Sequence, residues 1–299
     1  MPELPEVETI RRIVEPQVAG RTIRAVCLLQ AQVVAHPAPE AFVRLLSEQT
    51  ITSLGRRGKF LVFHFASGDR MVLHLRMTGQ LLVTPPDFPM ETHTHLVAPL
   101  SDGNELRYID VRRFGRFWLL RPEESEAIAG LDRLGIEPLS EDLTGAYLRE
   151  HFACRAVPIK AALLDQSVVC GIGNIYADEI LYAARLHPEN PCSHLSTRAW
   201  NRLAVTIRDI IAWGIETDAM TPEEYLAGKG KEYRNTPDLR AYGHEGKPCF
   251  RCGHTMKRVT IGGLSSCYCP YCQRKKQPFY PQNEKSRRLP CFVQIRPLL

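Results

Sequence analysis

One stretch decides how the C-terminal part of the chain folds: Cys249-Phe-Arg-Cys252-Gly-His-Thr-Met256-Lys-Arg-Val-Thr-Ile261-Gly-Gly-Leu264-Ser-Ser-Cys-Tyr268-Cys269-Pro-Tyr-Cys272. It contains two Cys-x2-Cys pairs separated by sixteen residues. Each pair brings two sulfurs to about 3.7 Å from each other on one side of an ion, which is typical of a tetrahedral site with four thiolate ligands. Four thiolates leave no open position for water, so a structural zinc ion is predicted. The predicted zinc ligands are Cys249, Cys252, Cys269 and Cys272.

The residues between the two cysteine pairs are expected to form a β-hairpin. Two β-rich runs, 256–261 and 264–268, flank the dipeptide Gly262-Gly263, which suits the tight turn of a two-stranded hairpin. Because such a hairpin is too small to fold alone, the zinc ion is expected to staple it. Cys267 fits neither cysteine pair and is interpreted as a spare thiol.

Positive charge is concentrated at this end of the chain. The formal net charge is +5, and residues 247–299 carry eleven Lys and Arg against one acid, Glu284, which gives them +10. Residues 1–246 therefore sum to −5. This asymmetry favours a polyanion-binding element at the C-terminus, and the alternative is a basic tail that serves only solubility.

The length and composition indicate a folded protein of two or three domains. With 299 residues, the chain exceeds the size at which a single hydrophobic core usually stops growing. No window approaches the roughly 18 to 20 apolar residues that span a bilayer, and residues 1–8 carry three glutamates rather than a signal segment. The ten cysteines are therefore not expected to form disulfides, and a soluble, cytosolic protein without a membrane partner is predicted.

The first 125 residues read as a short helix followed by strands. Pro and acidic residues in the first turn and the apolar positions Ile10, Ile13 and Val14 predict an amphipathic helix over 3–14. Short β-rich runs separated by turn residues then predict a β-sandwich or barrel. The predicted strands are 22–29, 51–54, 59–65, 71–75, 81–83, 105–110 and 117–120.

The pattern becomes helical from about Leu139, with predicted breaks at Gly171, Gly173, Pro188 and Gly214. A segment rich in Glu, Pro and Gly, residues 121–141, is interpreted as a linker between the halves. An α+β protein with an N-terminal β-sandwich is therefore predicted. Its expected units are a sandwich domain (1–125), a linker (126–144), a helical domain (145–240), a zinc hairpin (241–283) and a C-terminal extension (284–299).

The N-terminus carries a combination of residues suited to covalent chemistry. A penultimate proline normally allows removal of the initiator methionine, which would expose Pro2 as a secondary amine. An α-amine titrates near 8, so roughly one in ten is neutral at pH 7 and is a ready nucleophile for an aldehyde-level carbon. Glu3 and Glu6 lie close enough in sequence to serve as a general acid or to stabilise an iminium ion. The alternative is ordinary capping of a helix by Pro and Glu.

The N-terminal sequence Met1-Pro-Glu-Leu-Pro-Glu-Val-Glu-Thr9 closely resembles the opening of the formamidopyrimidine-DNA glycosylase family of bacterial base-excision repair enzymes. The resemblance continues in family order over nearly the whole chain. The matching segments are His74-Leu-Arg-Met77-Thr-Gly79, His93-Thr-His95, Asp110-Val-Arg112-Arg-Phe114-Gly115, Leu134-Gly-Ile-Glu-Pro-Leu139, Ile159-Lys160 with Leu163-Leu-Asp-Gln166, Gly171-Ile-Gly-Asn174-Ile-Tyr-Ala-Asp-Glu179 and Tyr268-Cys-Pro-Tyr-Cys-Gln273.

The resemblance implies a bifunctional DNA glycosylase and AP lyase that acts on 8-oxoguanine and formamidopyrimidines in duplex DNA. It implies that the Pro2 amine attacks C1′ of the damaged nucleotide while Glu3 protonates the sugar ring oxygen and Glu6 assists. A Schiff base then replaces the base, and β- and δ-elimination cut the strand, with Lys59 as proton donor in the β step. Neither metal nor cofactor is expected in the chemical step.

The resemblance also implies how DNA is held, in a basic cleft between the sandwich and a helix-two-turn-helix domain. The damaged nucleotide must leave the stack, and Met77, Arg112 and Phe114 would fill the gap, with Arg112 facing the orphaned cytosine. Gly171-Ile-Gly-Asn174 would present backbone amides to a phosphate. The other positions that match DNA-contacting residues are Lys59, His74, His93, Lys160 and Asn174.

The sequence departs from the family pattern in three places. Leu264 stands where the hairpin tip normally carries an arginine that clamps phosphate and takes part in δ-elimination. Tyr242-Gly-His244 has histidine where the family commonly has arginine, and residues 216–236 lack the usual motif of the lesion-capping loop. Damaged-DNA binding or the second elimination is therefore expected to be weakened. The residues that would replace part of the phosphate contact are Lys257, Arg258, Arg274, Lys275 and Lys276.

Two other readings stay open at this point. A non-catalytic damaged-DNA or abasic-site binding protein of the same fold is favoured by Leu264 and opposed by Pro2, Glu3, Glu6 and Lys59. A glycosylase that prefers oxidised pyrimidines is the second, although the opening resembles the purine branch. In each case a monomer acting on the DNA of the bacterial cytoplasm is expected.

Overall fold

The computed structural model describes residues 2–231 and 238–275. The helices in this part of the chain are α1 (Leu4–Val18), α2 (Pro39–Leu46), α3 (Gly145–Phe152), α4 (Ile159–Leu163), α5 (Asn174–Ala183), α6 (Thr197–Thr217) and α7 (Pro222–Ala227). The strands are β1 (Cys27–Leu28), β2 (Val34–His36), β3 (Ile51–Arg57), β4 (Phe60–Phe65), β5 (Arg70–His74), β6 (Gly79–Thr84), β7 (Thr94–Pro99), β8 (Glu105–Asp110), β9 (Arg116–Leu120), β10 (Lys257–Ile261) and β11 (Leu264–Tyr268). The predicted extension, Lys276 and residues 232–236 lie outside the described residues.

The N-terminal domain is a sandwich of two sheets, as predicted. One sheet has the strand order β1-β7-β8-β6 and the other β2-β9-β5-β4-β3. Their inward-facing apolar side chains form one core, in which Phe63 of β4, Leu73 of β5 and Tyr108 of β8 are buried. The α+β class with an N-terminal sandwich is therefore confirmed.

Helix α1 lies at the seam between the sandwich and the helical domain. Its residue Leu4 belongs to the core of the helical domain, whereas Val7, Ile10 and Val14 belong to the core of the sandwich. The Leu4 amide also donates a hydrogen bond of 3.1 Å to the carbonyl oxygen of Gly171. The start of the chain is thus fixed at the junction of both domains.

The helical domain contains a close contact that the sequence did not predict. Gly214 lies inside α6 and does not break it, which corrects the predicted break at this position. A Cβ at Gly214 would come within 2.5 Å of the ring of Tyr176 on α5. This glycine therefore serves the packing of α6 against α5. The predicted breaks at Gly171, Gly173 and Pro188 do lie between helices.

The C-terminal hairpin forms as predicted, with β10 and β11 antiparallel and Ile261 paired with Leu264 at the turn. Two adjacent acids of α5 connect it to the helical domain. The Asp178 carboxylate accepts hydrogen bonds from the Ser266 hydroxyl and the Cys267 amide, and Glu179 accepts from the amides of residues 240–242. Hydrogen bonds to α5 therefore hold both strand β11 of the hairpin and the segment that leads into the hairpin.

Several elements differ from the sequence-based expectation. The first helix continues to Val18, and the predicted strand 22–29 is reduced to β1 with isolated bridges at Thr22 and Ile23. Strands β2 and β7 and helix α2 were not predicted. Helix α7 lies within the predicted helical domain, but its Tyr225 is buried in the sandwich core. The capping segment, residues 222–231, therefore packs against the N-terminal domain.

The predicted linker is folded onto both domains. Glu137 accepts a hydrogen bond of 2.7 Å from the Gly58 amide and forms ion pairs with Arg56 and Arg57 of β3. It thereby fixes the turn that precedes Lys59. No helix in residues 2–231 and 238–275 is both long and apolar enough to cross a membrane.

Candidate active site and nucleic-acid interface

A cleft of about 580 Å³ lies where the sandwich, the helical domain and the hairpin meet. It brings together residues that the sequence analysis selected from distant parts of the chain. The predicted site residues that line it are Glu3, Lys59, His74, Met77 and Asn174. Leu264 and Tyr242 from the C-terminal unit complete the same wall.

The Glu3 side chain is buried and held by the N-terminus of α5. Its carboxylate accepts hydrogen bonds from the amides of Gly173 (2.8 Å), Ile175 (2.9 Å) and Tyr176 (3.1 Å). These amides are the unpaired donors of a helix start, where negative charge is favoured. A Cβ at Gly173 would lie 2.3 Å from Cδ of Glu3, so any larger residue there would displace the Glu3 carboxylate. The predicted catalytic acid therefore has a fixed orientation.

Glu6 lies one turn further along α1 and contacts both Glu3 and α5. It accepts a hydrogen bond of 2.8 Å from the Glu3 amide and one of 3.1 Å from the Tyr176 hydroxyl. Burial, and next the charge of Glu3, raise the pKa of Glu6 to about 7. A carboxyl group with this pKa carries a proton for part of the time at neutral pH, as a general acid needs.

Lys59 and His74 contribute one cation and one neutral ring to the cleft. The Lys59 ammonium donates a hydrogen bond of 3.0 Å to the carbonyl oxygen of Ile172, and burial lowers its pKa although Glu3 and Glu6 oppose this. Burial, followed by the charges of Arg76 and Lys59, lowers the pKa of His74 to about 3. Nδ1 of His74 accepts from the Arg76 amide at 2.9 Å, so its Nε2–H is the donor available for other groups.

Pro2 is buried and lines a second, adjacent cavity of about 250 Å³. Met77 lines both this cavity and the main cleft. Gln80 and Lys231 also face the second cavity, although the sequence analysis selected neither of them. Neither residue gave a distinct signal in the sequence, because only the fold shows that it lies beside Pro2.

Met77, Arg112 and Phe114 protrude from two neighbouring turns. Met77 is 42% exposed and Phe114 is 47% exposed, which is unusual for such side chains. The Arg112 guanidinium lies 4.6 Å from the centroid of the Phe114 ring. Each turn contains an arginine with positive φ, Arg76 (56°) and Arg113 (56°). These apolar tips have the shape expected of groups that wedge between bases.

Asp110 organises the second of these turns and was not assigned a role by the sequence analysis. Its buried carboxylate accepts hydrogen bonds from the hydroxyls of Thr78 and Tyr108 and from the amides of Arg112 and Gly115. It therefore ties the Met77 turn to the Arg112 turn. Its position within a matching family segment was the available signal.

Asn174, Lys160 and His93 occupy different environments. Oδ1 of Asn174 is buried and has no hydrogen-bond partner among the described residues. The side chain of Lys160 is fully buried, and its ammonium donates to the Asn174 carbonyl oxygen (2.9 Å) and to Asp178. In this structure protein groups therefore hold the Lys160 ammonium, and no part of its side chain reaches the surface. His93 is half-buried and does not line the cleft.

Leu264 reaches the cleft from the hairpin tip, and its side chain is 43% exposed. Of the basic residues considered as replacements for the missing arginine, the four that the structure describes, Lys257, Arg258, Arg274 and Lys275, do not line the cleft. Arg258 pairs with Glu245 at 3.3 Å, and Lys275 pairs with Glu189 at 3.0 Å. The wall of the cleft at the hairpin tip is therefore apolar.

The four predicted metal ligands form one cluster. The Sγ atoms of Cys249, Cys252, Cys269 and Cys272 all lie within 4.8 Å of one another. Tetrahedral thiolate coordination requires sulfurs less than about 4 Å apart on average, so the cluster fits a metal ion. Cys267 is buried outside this cluster, which agrees with its interpretation as a spare thiol.

The fold and the cleft together combine a helix start and two turns with exposed apolar tips around a buried acid and lysine, an arrangement suited to a DNA-repair enzyme. Family models agree with this class. Residues 1–117 match the formamidopyrimidine-DNA glycosylase N-terminal domain, and residues 134–225 match the formamidopyrimidine-DNA glycosylase H2TH domain. The chain belongs to the formamidopyrimidine-DNA glycosylase family, which confirms the resemblance and the helix-two-turn-helix domain.

Individual relatives support the same assignment. The chain is 40% identical to a formamidopyrimidine-DNA glycosylase of Pelotomaculum thermopropionicum over 276 residues, covering 92% of this chain and 100% of the relative. It is 39% identical to the corresponding Bacillus subtilis protein over 277 residues, covering 92% and 100%. Among solved structures, Lactococcus lactis Fpg in complex with a Fapy-dG-containing DNA aligns with a TM-score of 0.84 at 33% identity, covering 91% and 100%.

Proposed function

We propose that this protein is a bifunctional DNA glycosylase and AP lyase that excises oxidised purines from duplex DNA. The observation that carries the proposal is the placement of Pro2, Glu3 and Lys59 around two adjoining cavities at the N-terminus of α5. Family membership and the likeness to a protein solved with Fapy-dG-containing DNA support the choice of substrate.

The residues of the two cavities suit an imine mechanism. The Pro2 amine attacks C1′ and forms a C–N bond as the glycosidic bond breaks. The departing base takes the electron pair of that bond and the proton that the amine loses. Glu3 protonates the ring oxygen, which opens the sugar, and Glu6 with its raised pKa assists the proton transfers. The resulting iminium makes the neighbouring sugar protons acidic, so that the 3′ and then the 5′ phosphate can leave. Lys59 acts as the proton donor in the first elimination, the β step.

The exposed turns suit an everted nucleotide. Met77 and Phe114 would fill the vacated space and Arg112 would face the unpaired cytosine, since a guanidinium supplies directed donors. Asn174 and His74 would bind phosphate at the helix start. Lys160 would act through Asn174, whose carbonyl oxygen it holds. His93 would contact the strand outside the cleft.

The cysteine cluster would hold one zinc ion. Four thiols in one cluster, with no other ligand type among them, are the donor set of structural zinc sites. When bound, zinc would supply folding stability to the hairpin and no chemistry to the cleft. The hairpin thereby places Leu264 and Tyr242 against the DNA.

We further propose a monomer in the bacterial cytoplasm. The catalytic residues and all three walls of the cleft come from a single chain, so a second copy is not needed to complete the site. A cluster of reduced thiols also fits a compartment that keeps cysteines reduced.

Borohydride trapping on two duplexes tests the proposal. One duplex contains 8-oxoguanine opposite cytosine and the other a plain abasic site, and Pro2→Gly is the control. A trapped adduct on both duplexes, absent with Pro2→Gly, is expected. An adduct on the abasic duplex alone would leave the lyase in place and contradict the purine substrate.

Two specific observations favour the competing functions. A Lactococcus lactis Fpg structure contains an oxidized pyrimidine containing DNA, so an excision assay with dihydrouracil distinguishes that substrate class. The apolar Leu264 favours a non-catalytic binding protein. Tight binding of abasic DNA without any trapped adduct would establish that second reading.

A further inference from the structure

The cavity beside Pro2 contains a buried amide that has no partner in the protein. Gln80 on β6 is 6% exposed, and its Oε1 has no hydrogen bond among the described residues. Leaving such a group unpaired is costly in a folded protein, and each instance calls for an explanation. The cavity itself, about 250 Å³, is large enough for a single base.

The Gln80 side chain lies on the face of β6 that the capping segment covers. Residues 80, 82 and 84 share one face of the strand, because side chains alternate. A Cβ at Gly230 would lie 3.0 Å from Cδ2 of Leu82, so the Gly230 segment covers this face. Gln80, Gly230, Lys231 and Pro2 therefore enclose one space.

The position of Pro2, the proposed nucleophile, limits which part of the nucleotide can occupy this space. Pro2 attacks C1′ of the sugar, and the base is joined to that carbon by a single glycosidic bond. The base must therefore lie close to Pro2. The space that Pro2 shares with Gln80 meets this requirement, because both residues line it. The base therefore meets the Gln80 amide before excision, and an abasic sugar does not.

We propose that Gln80 is a specificity-determining residue that hydrogen-bonds the everted base, and this inference rests on the proposed function. Its amide offers one acceptor and one donor group side by side. It matches a purine edge that carries a donor next to an acceptor, as C8-oxidised guanine does at N7–H and O8. On the same edge unmodified guanine has the acceptor N7 and a C8–H group, so it offers no N–H donor for Oε1.

Gln80→Met tests the role, because methionine has nearly the same shape without hydrogen bonding at its end. Thr84→Val is the matched control. Thr84 lies on the same face of β6, is 1% exposed and also has an unpartnered Oγ1, but it does not line the cavity. Both variants are compared with the wild type on duplexes that contain 8-oxoguanine or a preformed abasic site.

We expect Gln80→Met to lower kcat/KM for 8-oxoguanine excision about tenfold, the effect of one or two lost hydrogen bonds. Cleavage of the preformed abasic site should stay within about twofold of the wild type, and Thr84→Val should leave both reactions within the same margin. Unchanged excision in Gln80→Met would overturn the proposal. An equal loss on both duplexes would overturn it as well, since that result indicates a structural role.

The same experiment separates this inference from the proposed function. If wild-type protein is trapped on the abasic duplex and Gln80→Met excises normally, only the role of Gln80 fails. If the wild type forms no adduct with either duplex, the proposed function fails and the role of Gln80 falls with it.

Discussion

The carboxylate of Glu3 accepts a 2.8 Å hydrogen bond from the amide of Gly173, a residue 170 positions away in the chain. This contact joins the start of α1, which carries the proposed catalytic residues, to the N-terminus of α5, which is proposed to face DNA. Because the same amides would otherwise be free to bind a phosphate, Glu3 occupies the innermost part of an anion site. One group of hydrogen bonds consequently fixes the position of the Glu3 carboxylate relative to helix α5.

Gly173→Ala should therefore abolish most base excision while leaving the protein folded. The new Cβ would lie 2.3 Å from Cδ of Glu3, and displacing a catalytic group by about 1 Å can cost roughly 100-fold in rate. Single-turnover excision of 8-oxoguanine measures the loss. Gly55→Ala is the control, since a Cβ there makes only ordinary contacts of 3.5 Å or more. Excision within a few-fold of wild type in Gly173→Ala would contradict the tight contact.

The sequence predicted the residues of the candidate sites better than it predicted the contacts that hold them. Pro2, Glu3 and the four clustered cysteines could be selected because their types and spacing carry chemistry. The role of Gly214 could not be predicted, because a glycine in a helical pattern reads as a break unless the ring of Tyr176 is known to lie against it. The same limit applied to Lys160, whose burial depends on the fold.

Short and tertiary-dependent elements were missed for a related reason. Strand β2 has three residues and pairs in parallel with β9, a partner far along the chain. Helix α7 lies within the predicted helical domain, but its Tyr225 fits a space in the sandwich core. Neither contact follows from local periodicity, because both depend on how distant segments pack.

The raised pKa of Glu6 predicts a dependence of stability on pH. The folded protein holds this proton up to about pH 7, whereas an unfolded glutamate releases it near 4.5. The free energy of unfolding should thus fall between about pH 4.5 and 7, by about 3 kcal/mol in total, and stay lowered above pH 7. In Glu6→Gln this decline should be absent.

Urea unfolding of the wild type and Glu6→Gln at pH 5 and pH 8.5 measures the difference. Only the change between the two pH values is compared, because the substitution also alters the hydrogen bonds from Glu3 and Tyr176. Glu40→Gln, at an exposed position in α2, is the control. Equal pH dependence in all three proteins would contradict the raised pKa.

His74 should bind DNA as a neutral donor. Since its pKa is lowered to about 3, it stays uncharged at both pH 7.5 and pH 5.5. His74→Gln should weaken abasic-DNA binding equally at the two pH values and leave the salt dependence of log Kd unchanged. A phosphate-paired cation would instead contribute about 0.9 to that slope. Arg76→Gln, which removes a positive charge from the same cleft, is the comparison.

Leu264→Arg should strengthen binding of damaged DNA. A charge-assisted hydrogen bond to phosphate contributes about 1.5 to 3 kcal/mol, so affinity for abasic DNA should rise about tenfold or more. The share of doubly cleaved product should rise with it. Ser265→Arg adds the same charge on the opposite face of β11 and serves as the control. Equal gains in both variants would show a general charge effect rather than a contact at the cleft.

Removing only one partner of the buried pair Lys160 and Asp178 should greatly lower the free energy of unfolding. Both side chains are at most 1% exposed, and an uncompensated buried charge typically costs about 3 to 5 kcal/mol. Asp178→Ala should therefore lower the free energy of unfolding by that amount. The double variant Lys160→Met with Asp178→Leu leaves no unpaired charge and should restore much of the loss. Urea unfolding of the metal-loaded protein measures both effects.

The recovery in the double variant should be incomplete for a reason specific to this hairpin. Asp178 also accepts hydrogen bonds from Ser266 and Cys267, and leaving these donors buried costs about 1 to 3 kcal/mol. Asp209→Ala, at an exposed position on α6, is the control and should change stability by less than about 0.5 kcal/mol. A double variant no more stable than Asp178→Ala would mean that the hydrogen bonds to the hairpin, rather than the unpaired lysine, account for the cost.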